Sequence, residues 1–425
     1  MSQAVPPAAL RALRRGSEAA LAAAVERLAR LVELESPSGD VARLAELRDV
    51  LASRLTELGA LVEVMPGDAG DQLRAVFPAP PALAQPALAQ PALAQPALAQ
   101  PALARPALAA GRRTPGGHLL VVGHYDTVWE AGWLASHPFT VNGPVATGPG
   151  TMDMKGAIVA LELAFELLAG CGLALAQPVQ VVLTADEEVS SPHGRTAVMA
   201  AARGAAAVVG LEPPHPDGSL KTGRRGVARV RIEVHGREGH SGIITGAGVS
   251  AIDELLDQLV RLRDALPRAA DLGWNIGRVS GGTRANVVAG RASAEIGLRF
   301  GTGETEHAAL AAVRGLTPVR QGATVRTEIL SSRPAWAAAP GNRLAEHVIG
   351  LAARLGEKFG ARPAGGAGDT NFTGAAGLPT VDGLGPRGRG AHSRAESVLV
   401  DSILRRAELL AVLLATPLPS LETPS

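Results

Sequence analysis

Four short apolar runs in this 425-residue chain end in residues that bind divalent cations or move protons. LLVVGHYD carries His124 and Asp126, VVLTADEE carries Glu187 and Glu188, AVVGLEP brings Glu212, and TVDGLGPRGRGAHS leads to His392. Asp153 stands in TGPGTMDMKGA, just ahead of an apolar helical segment. Taken singly, each has an ordinary reading: Asp153 as a helix N-cap, the paired glutamates as a solvated strand end, either histidine as a structural one. Together they argue for a metal site, because paired acids at apolar strand ends are costly unless a cation or a proton neutralises them. Oxygen and imidazole donors around an open position suit zinc. Two neighbouring cations need a bridging carboxylate, and Asp153 is the natural bridge. His124 and Asp126 lie two apart in a strand and share a face, so Asp126 can hold the imidazole in one tautomer. Adjacent Glu187 and Glu188 point differently, which lets one bind metal while the other acts as general base and then acid.

The elements that must position these groups follow an α/β pattern. Strand-like LLVVGHYD, VQVVLTADEE and AAVVGLEP alternate with helical MKGAIVALELAFELLAG and RTAVMAAARG. In an open α/β sheet, ligands gather at the carboxyl ends of the strands, where these residues converge. Between Lys221 and Gly226 the character changes to an alternating strand, GVARVRIEVHG, then the amphipathic helix VSAIDELLDQLVRLRDAL, then strands at NVVAGRASAEIGLRF and ATVRTEIL. The pattern predicts an α+β unit at 225–332, inserted between a first part, 1–224, and a second part, 333–425, of one catalytic domain. Residues 81–110 form a PALAQ pentapeptide repeat between two strand-like runs. Proline at every fifth position prevents a continuous helix, so the repeat is expected to be a disordered loop inflating a hairpin.

Composition narrows the function. Lys+Arg 41 against Asp+Glu 40 leaves a formal net charge of +1, which gives no general attraction to nucleic acid or anionic membranes. The single cysteine, Cys171, can form neither an internal disulfide nor a thiolate metal site. With no apolar run long enough to cross a bilayer and no signal-peptide pattern, a cytoplasmic location is expected.

From Gly16 to Leu414, excluding the repeat, the chain resembles the aminoacylase/carboxypeptidase G family of co-catalytic zinc hydrolases (peptidase family M20). The resemblance is carried by GHYDTV, GPGTMDMKGA, TADEE, VGLEP and GAGDTNFTGAAGLPTVDGLGPRGRGAHSRAES, in that order. The last run is most similar to the bacterial glutamate carboxypeptidases of the family. The resemblance implies a zinc-exopeptidase-like α/β catalytic domain, with a mixed central sheet flanked by helices and an inserted ferredoxin-like lid or dimerisation domain. It implies two Zn2+ per subunit, with Mn2+ or Co2+ as alternatives: His124, Asp153 and Glu212 on one ion, Asp153, Glu188 and His392 on the other. Asp126 then orients His124, and Glu187 is the general base. From the insert, His240 in EVHGREGHSG polarises the substrate carbonyl, commonly from the partner subunit of a homodimer. Asn286 in GGTRANVVAG and Arg299 in AEIGLRF contact the substrate's carbonyl or terminal carboxylate. Gly368 departs from the family pattern, where a hydroxyl residue is common. The expected activity is release of a C-terminal amino acid from a small peptide. Deacylation of N-acyl amino acids is the alternative, and a non-hydrolytic binding protein on the same fold is a more distant one.

Overall fold

The computed structural model describes residues 5–79, 117–242, 248–338 and 341–421. The repeat at 81–110, and with it the expected disordered loop, lies outside them.

Six strands form a mixed central sheet in the order Leu61–Met65, Gln72–Phe77, Val179–Thr184, His118–His124, Ala205–Gly210, Thr380–Val381. The first two run antiparallel and the other four are mutually parallel. His118–His124 is buried along its whole length, as is expected of a central parallel strand covered on both faces, and this is why it reads as an unbroken apolar run. The helix Gly156–Gly170 is buried almost all round and packs with Val400–Leu414 against the sheet. The hairpin expectation is corrected: Val179–Thr184 lies between Gln72–Phe77 and His118–His124, so these two strands are not neighbours. Both were recognisable as strands, but adjacency in a sheet depends on partners distant in sequence.

A second, wholly antiparallel sheet has the order Gly273–Gly281, Arg291–Phe300, Gly226–His235, Thr324–Arg333. With the helices Ala251–Ala265 and Gly303–Arg314 it makes a βαββαβ arrangement of the ferredoxin-like kind. Its core is its own, with Val230, Ile232, Leu255, Leu262, Ile296, Phe300 and Val313 packed together. Ser250 and Thr302 cap the two helices through their hydroxyls. The strand Gly273–Gly281 and the helix Gly303–Arg314 have no counterpart in the sequence reading. The strand is an edge and largely exposed: Trp274 and Ile276 pack on the core, but a bulge after Ile276 breaks the alternation and leaves Val279 exposed, so little of a half-buried strand's pattern remains.

Candidate metal and catalytic centre

Strand ends deliver the site. His124 is the last residue of its strand and is 1% exposed. Its Nδ1 lies 3.0 Å from the Asp126 carbonyl oxygen and 3.3 Å from Asp126 Oδ1, which favours the Nδ1–H tautomer. Nε2 is then free as a donor atom, 3.1 Å from Asp153 Oδ1 and 3.8 Å from Glu212 Oε1. Asp126 is itself fully buried and accepts from Glu187 N, Glu188 N and the Ser38 hydroxyl, at 3.1, 3.1 and 2.7 Å. One carboxylate thus holds the imidazole and the turn bearing both glutamates.

Asp153 does not cap the following helix, whose N-cap is Lys155. Its second oxygen instead lies 3.4 Å from His392 Nε2, which is also 3.1 Å from Glu188 Oε1. His392 has a left-handed backbone, φ 61°, uncommon for a residue with a Cβ. Ligand atoms therefore come within 4.8 Å of one another in His124–Asp153–Glu212 and in Asp153–Glu188–His392, with Asp153 common to both. His124, Glu187 and Glu188 form a third such group. An all-oxygen-and-imidazole donor set fits borderline divalent cations such as zinc.

Electrostatics reflect the crowding. Hydrogen bonds to Asp153 and Glu188 push His392 up to about 11. Burial works against the charged form of His124, but Asp126 and Asp153 outweigh it and raise its pKa well above the ordinary value. Burial raises Glu187 well above the usual carboxylate range, with Arg333 opposing it.

Two arginines neutralise the acids. Arg333, at the end of the strand Thr324–Arg333, has Nη2 3.0 Å from Glu187 Oε1 and 3.2 Å from Asp369 Oδ1, and donates to the Ser191 hydroxyl at 2.8 Å. Arg224 donates to Asp382 Oδ2 at 2.6 Å, to Glu212 Oε2 at 3.3 Å and to the carbonyls of Gly366 and Ala367. The sequence reading missed both, together with Asp369 and Asp382. Arg224 lies in the basic, glycine-rich KTGRRG and Asp369 in the polar GAGDTNF, while Arg333 and Asp382 stand just past short apolar runs, and charges in such settings are easily read as solvation.

A cavity of about 490 Å³ opens over these groups, lined by Asp153, Glu187, Glu188, Glu212 and His392 and, from the second sheet, by Val227, Arg299 and Arg333. Arg299 is exposed on this wall. His240 and Asn286 are brought together on paired short strands and their flank, where Ser241 N donates to the Asn286 carbonyl. Both are exposed, and neither lines the cavity.

Residues 120–416 match the model of peptidase family M20/M25/M40. The chain belongs to this family. It is 29% identical to carboxypeptidase G2 of Pseudomonas sp. (strain RS-16), over 70% of this chain and 74% of that one. It is 31% identical to a succinyl-diaminopimelate desuccinylase of Gluconacetobacter diazotrophicus, over 70% and 81%. In fold it is similar to the M20 metallo-carboxypeptidase Sso-CP2 of Sulfolobus solfataricus, with a TM-score of 0.67 at 13% identity over 92% of this chain and 98% of that one. It is likewise similar to the aminopeptidase PepT of Bacillus cereus, with a TM-score of 0.65 at 20% identity over the same shares. As a member of the family the protein is a metal-dependent hydrolase of peptide or amide bonds. Among the described residues no helix is long and apolar enough to cross a membrane.

Proposed function

We propose that this M20 hydrolase is a two-zinc enzyme that releases a C-terminal amino acid from a small peptide, in the manner of a glutamate carboxypeptidase. One zinc is assigned to His124, Asp153 and Glu212, the other to Asp153, Glu188 and His392. The observation that carries the reading is the sharing of Asp153 between two ligand groups beside a glutamate held by an arginine. When bound, the ions supply Lewis-acid polarisation of the scissile carbonyl and make a water more acidic.

The protein's own groups do the rest. Glu187, held by Arg333, takes the proton of the attacking water and returns it to the leaving nitrogen. Asp126 keeps His124 oriented. Arg299 on the cavity wall offers a guanidinium fork for a free α-carboxylate, which supports an amino acid as leaving group.

His240 and Asn286 lie outside the cavity of their own chain, which supports action in a partner's site. An exposed apolar stripe of Ile252, Leu256 and Val260, near the edge strand Gly273–Gly281, supports a homodimer built through the insert. The same features support taking 225–332 as the lid, between catalytic parts 1–224 and 333–425. The free cysteine supports a cytoplasmic location. Deacylation of N-acyl amino acids is the second reading, favoured by the likeness to a desuccinylase.

The test is Glu187→Gln, assayed on N-acyl amino acids and dipeptides with zinc content measured alongside. Hydrolysis should fall about 100- to 10,000-fold with the ions retained. Undiminished turnover in the zinc-loaded variant would sink the reading. The wild-type panel separates peptidase from deacylase.

A further inference from the structure

A buried carboxylate outside the ligand set joins the segments that carry two of the ligands. Glu396 is 3% exposed and both of its oxygens are fully engaged. Oε1 accepts from Met152 N at 2.9 Å and Asp153 N at 3.1 Å. Oε2 accepts from Gly150 N at 3.0 Å and from the Trp129 indole at 2.7 Å. Four donors thus converge on one side chain, three of them in the turn that presents Asp153.

The other end of this contact is the His392 loop. Gly388–Arg389 pairs antiparallel with Ser397–Val398, and the connection between them carries His392 towards its tip. Within it, Glu396 N donates to the Ser393 carbonyl, and Ser393 N to that of Gly390, both at 2.9 Å. Glu396 sits at the base of this loop, four residues from His392, and grips the backbone of Asp153. Glu188 reaches the same place from the turn after Val179–Thr184, held by Asp126 and not by Glu396.

We propose that Glu396 is a positioning residue that sets the separation of Asp153 and His392, and so governs cation affinity at Asp153–Glu188–His392 more than at His124–Asp153–Glu212. This rests on the two-cation reading above. The second group contains one segment held by Glu396, whereas the first contains two. A carboxylate is required because four N–H groups need acceptors; glutamine would offer one oxygen and turn an NH2 against donors. The loops should stay docked without it, since Ser397–Leu399 also pairs with Val145–Thr147.

The experiment titrates zinc into metal-depleted full-length protein by calorimetry, for wild type, Glu396→Gln, Trp129→Phe and Glu254→Gln. Glu254 is a matched control, a fully buried carboxylate in the insert that accepts from Val319 N and Arg320 N. Wild type should take up two ions. Glu396→Gln should keep one affinity and weaken the other about 10- to 100-fold, the usual cost of losing a group that orients a ligand. Trp129→Phe, which removes one of the four donors and keeps the fold if Glu396→Gln does not, should weaken the same ion less. Glu254→Gln should lower the melting temperature and titrate like wild type. Unchanged titration in both Glu396→Gln and Trp129→Phe, or equal weakening of both ions, overturns the proposal. A wild type that binds no zinc overturns the metal reading itself, and this proposal with it.

Discussion

Arg333 Nη2 lies 3.0 Å from Glu187 Oε1, so the last residue of the second sheet's edge strand neutralises an acid at the end of the central sheet. Both side chains are almost fully buried, and the same guanidinium also serves Asp369 and Ser191. Charge balance at the proposed base therefore depends on how the two sheets meet.

Replacing Arg333 with Met leaves Glu187 and Asp369 buried without their cation. Unfolding free energy should fall by about 3–5 kcal/mol, as when one partner of a buried pair is removed. Arg333 opposes the upward shift of Glu187, so its loss raises that pKa further and moves the acidic limb of the kcat/KM profile to higher pH. Chemical denaturation and a pH–rate profile of Arg333→Met and Arg333→Lys check this, and an unmoved acidic limb in both contradicts it.

Gly368 admits no side chain as Arg224 now stands: a Cβ there would run into the guanidinium that holds Glu212 and Asp382. Gly368→Ser restores the hydroxyl common in the family and should nevertheless destabilise this protein by about 1–3 kcal/mol, as overpacking does. It should also weaken zinc binding through Glu212. Thermal melts with and without zinc measure both effects; a neutral substitution would show that Arg224 can move aside.

His347, on the helix Arg343–Arg354, has a buried Nε2 with no hydrogen-bond partner among the described residues, and burial lowers its pKa below the ordinary value. A histidine whose folded pKa is depressed takes up its proton more readily when unfolded, so it removes stability as pH falls through about 6.5. His118 is shifted the same way by burial. His347→Leu should melt higher than wild type, and the gap should widen from pH 8 to pH 5 in zinc-loaded protein. Parallel melting curves across that range would contradict the assignment.

If His240 serves the partner's site, subunit exchange between Glu187→Gln and His240→Ala should rebuild one intact site per mixed dimer. Random exchange then restores about a quarter of wild-type activity from two nearly inactive parents. No recovery, with exchange verified by native mass spectrometry, would count against His240 acting across the interface.

Much of this was legible in the residues themselves. Apolar runs ending in His124, Glu187–Glu188 and Glu212 announce parallel strands with chemically active residues at their carboxyl ends, because a central strand must be apolar throughout and only its end can carry a charge. Gly226–His235 and Ala251–Ala265 were equally plain, since each buries one face at its own period. The edge strand Gly273–Gly281 was not, because it buries little.

The sequence by itself determined which residues the proposed centre has to draw on: two histidines, five acids and the strands and turns that bear them. Tertiary structure decided which of those acids are answered by Arg224 and Arg333, and that Glu396 holds Asp153 near His392. It also left His240 and Asn286 off the cavity of their own chain. The reason is physical. Hydrophobic period and residue type are local, whereas the partner of a buried charge is chosen by whatever distant segment the folded chain brings within hydrogen-bonding reach.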